Sequence, residues 1–69
     1  EIGDLNKVAM VMMNIGSEYE ELGNYQRAMA YELKALKNKE ASGNSKNLAY
    51  YYQHVGQLFK TTDLKKWKF

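Results

Sequence analysis

Residues 12–36 read MMNIGSEYEELGNYQRAMAYELKAL and contain the pattern that decides the fold. Apolar and aromatic side chains recur here at intervals of three and four, as they do along one face of an α-helix. The stripe before Gly23 extends back through Val8 and comprises Val8, Met12, Ile15, Tyr19 and Leu22. The stripe after it comprises Tyr25, Ala28, Met29, Ala35 and Leu36. Because the link between them is short, the pattern predicts two antiparallel helices.

Residues with known capping preferences stand at the ends of these stripes. Asp4 and Asn24 can accept hydrogen bonds from the free N–H groups that begin a helix. Gly23 and Gly43 can adopt the left-handed backbone conformation that ends one. The sequence has no Pro to interrupt the helices. We therefore expect a first helix at about residues 5–22 and a second at about 25–42.

A third helix is predicted from Leu48, Tyr52, Val55 and Phe59, which follow the same spacing. Asn44 or Ser45 is its expected cap, and it is expected to span about 46–61. A cap at Thr62 or Asp63 would then start a fourth helix near residue 64.

Two parts of the sequence match each other at an offset of 40 positions, which relates Gly16 to Gly56. The same offset relates several further pairs, namely Gly3 and Gly43, Val8 and Leu48, Ala9 and Ala49, Met12 and Tyr52, Ile15 and Val55, and Tyr19 and Phe59. A self-match at fixed period is typical of a helical solenoid. We predict an all-α chain with one repeat at about 4–43 and a partial repeat at about 44–69.

The first unit resembles the tetratricopeptide repeat. That family's pattern combines an aromatic residue, a Leu-Gly pair, a Tyr, a small-residue turn and spaced Ala residues. The corresponding residues are Ile15 and Gly16, Tyr19, Gly23, Ala28 and Ala35, with Val55, Gly56 and Phe59 in the second unit. Gly16 and Ala28 are expected where the two helices approach most closely, because larger side chains would separate them.

The sequence departs from the family pattern in three ways. Met12 stands at the usual tryptophan-type position, and Glu32, with Tyr31 beside it, stands near the usual aromatic residue of the second helix. The period of 40 also exceeds the usual ~34 residues. In this respect the chain is similar to the extended repeats of kinesin-light-chain-type scaffolds and of bacterial peptide-sensing regulators.

The resemblance implies a concave groove lined by the first helix of each repeat. The expected groove positions are Met13, Asn14, Ser17, Tyr50, Gln53, His54 and Gln57. An Asn amide both donates to and accepts from a peptide backbone, which gives Asn14 a binding role; the alternative is a solvated helix residue. For Met13 and its neighbour Met10, the alternative is packing against a preceding repeat.

Composition excludes several classes of function. The 69 residues include no Cys and one His, so neither a disulfide nor a Cys/His zinc site is expected. The net charge of +2 indicates neither a nucleic-acid nor a membrane partner. A basic-aromatic cluster near the C-terminus could contact nucleic acid, but packing of Leu64 and Trp67 on the third helix is the preferred interpretation. The absence of Cys favours a reducing compartment, hence the cytoplasm.

The function expected from this resemblance is a non-catalytic scaffold that binds a protein or peptide. The alternative is a sensing or dimerisation array of a bacterial signalling or transcription regulator. No spacing places an Asp or Glu beside His54, so no enzyme activity, cofactor or metal is expected. Because one repeat cannot bury both of its faces, we also expect neighbouring repeats or self-association. Glu1 in place of an initiator Met is expected to mark a start inside a longer protein.

Overall fold

A computed structural model of the chain describes the backbone of residues 2–67 and the side chains of residues 4–62. Its helices are α1, Ile2–Glu21; α2, Tyr25–Ala41; and α3, Leu48–Trp67. No strand occurs in this part of the chain, so the predicted all-α class is confirmed. The three helices form an elongated layer of 44 × 19 × 13 Å. No helix in the described range is long and apolar enough to cross a bilayer.

α2 lies between the other two helices and packs against both. Early residues of α1 contact late residues of α2, as in the hydrogen bond between Asn6 and Lys39, whereas Tyr19 stacks on Tyr31 nearer the link. α1 and α2 are therefore antiparallel, as predicted. α3 likewise runs antiparallel to α2, because His54 contacts Glu32 while the earlier Tyr52 contacts Glu40.

The first link forms as its residues predict. Gly23 has φ +82° and ends α1, and its N–H donates to the Glu20 carbonyl at 3.0 Å. Asn24 Oδ1 then accepts from the Arg27 N–H at 3.2 Å, which caps α2. Local backbone chemistry alone is sufficient to place this turn.

The second link is longer than expected. Gly43, at φ +73°, follows the end of α2 as predicted, but α3 begins at Leu48 rather than near residue 46. The prediction that Asn44 or Ser45 caps α3 is wrong, because Asn44 Oδ1 instead accepts from Lys46 N–H at 2.9 Å in a separate turn. Asn47 directly precedes the helix at φ +65°, a left-handed conformation that Asn tolerates better than most residues.

α3 continues to Trp67, so the prediction of a break near Thr62 and of a fourth helix from residue 64 is wrong. The two threonine hydroxyls bond back into their own helix: Thr61 Oγ1 donates to the Gln57 carbonyl at 3.0 Å and Thr62 Oγ1 to the Leu58 carbonyl at 2.5 Å. A hydroxyl used in this way caps no new helix. The predicted packing of Leu64 and Trp67 concerns side chains outside the described residues.

The core is built largely from small residues. Ala9, Met13, Ala35 and Tyr51 form one buried cluster, and Met12, Leu36 and Val55 pack against it. Ala28 and Leu58 are also fully buried. Small side chains allow helix axes to approach closely, which compensates for the few large apolar residues inside.

The predicted apolar stripes are only partly buried. Val8, Leu22, Tyr52 and Phe59 were assigned to the core stripes, yet they are exposed; Leu22 retains 78% and Phe59 60% of its accessible surface. The physical reason is the position of α2. It covers the face of α1 that carries Ala9 and Met13 and the face of α3 that carries Tyr51 and Leu58. The exposed residues of the predicted stripes therefore lie on the flanks of these two helices.

Candidate functional site

The predicted groove residues line two clefts that share His54. The larger cleft has a volume of about 420 Å³ and is lined by Ser17, Glu20, Glu21, Tyr25, His54 and Thr61. The smaller has a volume of about 310 Å³ and is lined by Tyr50, Gln53, His54 and Gln57. Five of the seven predicted residues (Ser17, Tyr50, Gln53, His54 and Gln57) therefore lie on one continuous surface of α1 and α3.

The other two predicted residues lie elsewhere. Met13 is 4% exposed and belongs to the core cluster with Ala35 and Tyr51, so it is not available on a groove. It packs between α1, α2 and α3, because Ala35 lies on α2 and Tyr51 on α3. Asn14 is exposed on α1 but lines neither cleft. Each residue is displaced from the expected face because α2 contacts α1 through Ala9, Met13 and Gly16.

His54 lies between two carboxylates that the sequence did not place beside it. Its Nδ1 is 3.0 Å from Glu32 Oε1, and its Nε2 is 3.8 Å from Glu20 Oε1. The Tyr50 ring stacks on the imidazole at a centroid distance of 5.5 Å, which limits its movement. α1, α2 and α3 thus each contribute one polar side chain to a single cluster.

Glu32 is the most unusual member of this cluster, because its side chain is fully buried. Oε1 contacts His54, but Oε2 has no hydrogen-bond partner among the described residues. Burial, followed by the neighbouring Glu20 carboxylate, raises the pKa of Glu32 from 4.5 to about 8. In the absence of a bound cation this carboxyl group therefore holds a proton near neutral pH.

Gly16 provides the space that Glu32 occupies. A Cβ at this position would lie 2.5 Å from Glu32 Cγ, 3.1 Å from Glu32 Oε2 and 3.2 Å from the Ala28 carbonyl. The expected close approach of α1 and α2 at Gly16 and Ala28 is thus present, but the gap admits a carboxylate and not an aromatic ring. The missing side chain of Gly16 determines where the Glu32 side chain can lie.

The cluster could have been found from the sequence by the spacing of α2. Ala28, Glu32, Ala35, Lys39 and Ser42 follow one another at intervals of four and three, and all are buried. A pattern of apolar residues alone omits the two charged members. The sequence feature that indicates burial of Glu32 is its position between Ala28 and Ala35 on the same face of α2.

Lys39 is the second buried charge of α2, at 3% exposure. Its Nζ donates to Asn6 Oδ1 at 2.6 Å and lies 5.4 Å from the centre of the Tyr51 ring. An amide oxygen and an aromatic face both stabilise an ammonium group out of water. Lys39 therefore has partners for its charge, whereas Glu32 retains an oxygen without one.

Comparisons with known proteins give no family for the chain. No protein-family model matches it, and searches of curated proteins and of solved structures found no significant relative.

Proposed function

We propose that this chain is a non-catalytic binding module that receives an extended peptide segment of a protein partner along the two clefts. The observation that carries the proposal is the continuity of the surface through His54, from Ser17 and Glu21 at one end to Tyr50 and Gln57 at the other. The resemblance to helical-repeat scaffolds supports the same assignment.

The polar side chains of the clefts suit a peptide backbone. The amides of Gln53 and Gln57 both donate and accept hydrogen bonds, and both residues are exposed on α3. Tyr50 is half-exposed and offers an aromatic face of the kind enriched at binding hot spots. Since these groups lie side by side on one helix, one extended segment can contact them together.

The larger cleft favours a cation. Glu20 and Glu21 line it together with the hydroxyls of Ser17 and Thr61. A lysine or arginine side chain of the partner would meet complementary charge there. We therefore propose a partner segment that carries a basic residue at the end bound by α1.

A peptide array with randomised extended sequences tests this proposal, with binding of the selected peptides measured by fluorescence anisotropy in EDTA. Selected peptides should be enriched in Lys or Arg and should bind more weakly at high salt. Gln53→Ala and Gln57→Ala should each weaken binding by roughly five-fold, the effect of about one hydrogen bond. Gln26→Ala, an exposed glutamine of α2 that lines neither cleft, is the matched control.

Selected peptides without enrichment in Lys or Arg would contradict the proposal. So would equal losses of peptide affinity in Gln26→Ala and Gln57→Ala. The alternative function, a dimerisation or sensing array, is tested by light scattering on the same protein. It predicts a dimer that persists on dilution and peptide binding that is insensitive to the cleft variants. The exposed side chains of Val8, Val11, Tyr52 and Phe59 are the apolar surface that such a dimer would use.

A further inference from the structure

We propose that Glu20, Glu32 and His54 form a binding site for a divalent transition-metal ion of the zinc class. Each residue comes from a different helix, and each offers one ligand atom, with the three atoms within 4.8 Å of one another. Two carboxylate oxygens and one imidazole nitrogen are a donor set that zinc and its neighbours in the first transition row accept.

The ligand atoms of the cluster lie close enough together to be drawn onto one such ion. Zinc binds nitrogen and oxygen ligands at about 2.0–2.2 Å, which separates tetrahedral ligand atoms by about 3.4 Å. Glu32 Oε1 lies 3.0 Å from Nδ1 of His54, whereas Glu20 Oε1 lies 3.8 Å from Nε2, so the two carboxylates contact different nitrogens of the ring. Because a metal uses one imidazole nitrogen, side chains of the cluster must rotate before all three residues can share one ion.

The unpartnered oxygen of Glu32 is an independent observation that points to a cation. Glu32 is fully buried, its Oε2 has no hydrogen-bond partner in the described part of the chain, and the Glu20 carboxylate lies nearby. A metal ion bound here would replace the proton that Glu32 holds in the metal-free protein. A buried carboxylate in such surroundings is costly unless a positive charge compensates it. Lys39, the buried cation of α2, is already bound to Asn6 and so does not supply that charge.

The surroundings of the cluster are those of a site with one open side. Gly16 accommodates Glu32 from behind, whereas Glu20 and His54 face the cleft of about 420 Å³. Water from that cleft could fill the remaining coordination position, as in zinc sites with three protein ligands. The stacked Tyr50 ring would hold His54 in orientation, in the way that neighbouring groups commonly hold metal ligands.

The test is a titration of the full chain, first stripped with EDTA and then exchanged into metal-free buffer. Zn²⁺ binding is measured by calorimetry and by the rise in unfolding temperature, and Co²⁺ is used as a probe because its visible absorption reports coordination. We expect saturation at one ion per chain and a higher unfolding temperature with Zn²⁺. Mg²⁺, which prefers oxygen ligands in octahedral geometry, should bind far more weakly.

Three variants locate the site. Glu32→Gln and His54→Gln should each weaken Zn²⁺ binding at least roughly 100-fold, since each removes a direct ligand. Glu18→Gln removes the same charge from an exposed position of α1 and should leave binding unchanged. Circular dichroism verifies that each variant folds. Should Glu32→Gln fail to fold, His54→Gln, whose side chain is partly exposed, still tests the site.

Absence of one-to-one Zn²⁺ binding would overturn the proposal. So would equal affinity in wild type, Glu32→Gln and Glu18→Gln, because that result assigns the ion to surface carboxylates. The metal site and the peptide groove are separable: Gln53→Ala should leave Zn²⁺ binding intact, and the peptide measurements are made in EDTA. Either proposal can therefore fail without the other.

Discussion

The middle of α1 and the middle of α3 each carry a glycine, and the two glycines have different surroundings. Gly16 is buried against Glu32 and the Ala28 carbonyl, whereas a Cβ on Gly56 would meet nothing within 4 Å. Tyr19 is half-buried and stacks on Tyr31 at 5.6 Å, whereas Phe59 at the matching position is largely exposed. The difference follows from α2, which covers this face of α1 while no described helix covers the corresponding face of α3.

The largest expected effect concerns the charge buried beside Gly16, which has no counterpart beside Gly56. Glu32 has a pKa of about 8 in the folded chain and an ordinary value of 4.5, so the folded chain holds a proton that the unfolded chain releases. Stability of the metal-free protein should therefore fall as pH rises from about 4.5 to about 8, with a slope approaching the one-proton limit of ~1.4 kcal/mol per pH unit.

Urea unfolding at several pH values within that window, in EDTA, measures the slope for wild type and Glu32→Gln. The variant should lose most of the pH dependence. The groups that face Glu32 are Glu20 from α1 and His54 from α3, so Glu20→Gln should reduce the slope by a smaller amount. An identical slope in wild type and Glu32→Gln would show that the proton resides elsewhere.

Replacement of Gly16 and Gly56 by alanine tests most directly whether the first glycine is packed and the second is open. Gly16→Ala should destabilise the protein by about 1–3 kcal/mol, because Glu32 must leave its place or the helices must separate. Gly56→Ala should stabilise it by up to about 1 kcal/mol, since alanine is the better helix former and the site is open. Denaturant midpoints at one pH provide both values. Similar losses from both substitutions would mean that Gly56 is also packed against a neighbour in solution.

Tyr19 and Phe59, the aromatic residues at matching positions of α1 and α3, should differ less than the two glycines in their effect on stability. Tyr19→Ala removes a stacked ring that also lies 5.9 Å from the Arg27 guanidinium, and should cost about 1–2 kcal/mol. Phe59→Ala removes an exposed ring and should change stability by no more than about 0.5 kcal/mol. Thermal unfolding of the two variants gives the comparison. A large cost for Phe59→Ala that grows with protein concentration would indicate self-association through α3.

The smallest expected effect is at Tyr52, on the exposed flank of α3. Its hydroxyl donates to Glu40 Oε2, and this hydrogen bond, ahead of burial and the Glu40 charge, raises the pKa of Tyr52. Tyr52→Phe should leave the stability of the protein almost unchanged, as for other exposed polar pairs. It should also remove a high-pKa component from the ultraviolet titration of the tyrosines, and an unchanged titration would contradict the contact.

The elements of the fold that could be predicted are those set by local chemistry. Gly23, Asn24 and Gly43 have backbone or capping preferences that act within one turn, and all three behave as predicted. The end of α3 could not be predicted in the same way, because Thr62 can either cap a new helix or bond back to Leu58. Nothing in the neighbouring residues distinguishes those two uses.

The candidate site was predicted only in part, and for a different reason. Ser17, Gln53, His54 and Gln57 share one surface because helical spacing carries them there. The carboxylates beside His54 were missed because burial was judged from apolar residues, and Glu32 is a charged residue on a buried face. The expectation of no metal rested on the counts of Cys and His and on the lack of an Asp or Glu that spacing places beside His54, whereas carboxylates supply two of the three ligands proposed above.

The fit of Glu32 against Gly16 has a consequence for how α1 and α2 find their alignment. A slip of α2 by one helical turn along α1 would bring Glu32 opposite Met12 or Glu20, where a side chain already occupies the space or carries the same charge. The slip would also separate Lys39 from Asn6. Glu32 and Lys39, seven positions apart on α2 and both buried, therefore fix the register of α2 against α1. A contact made only of alanines would allow several registers.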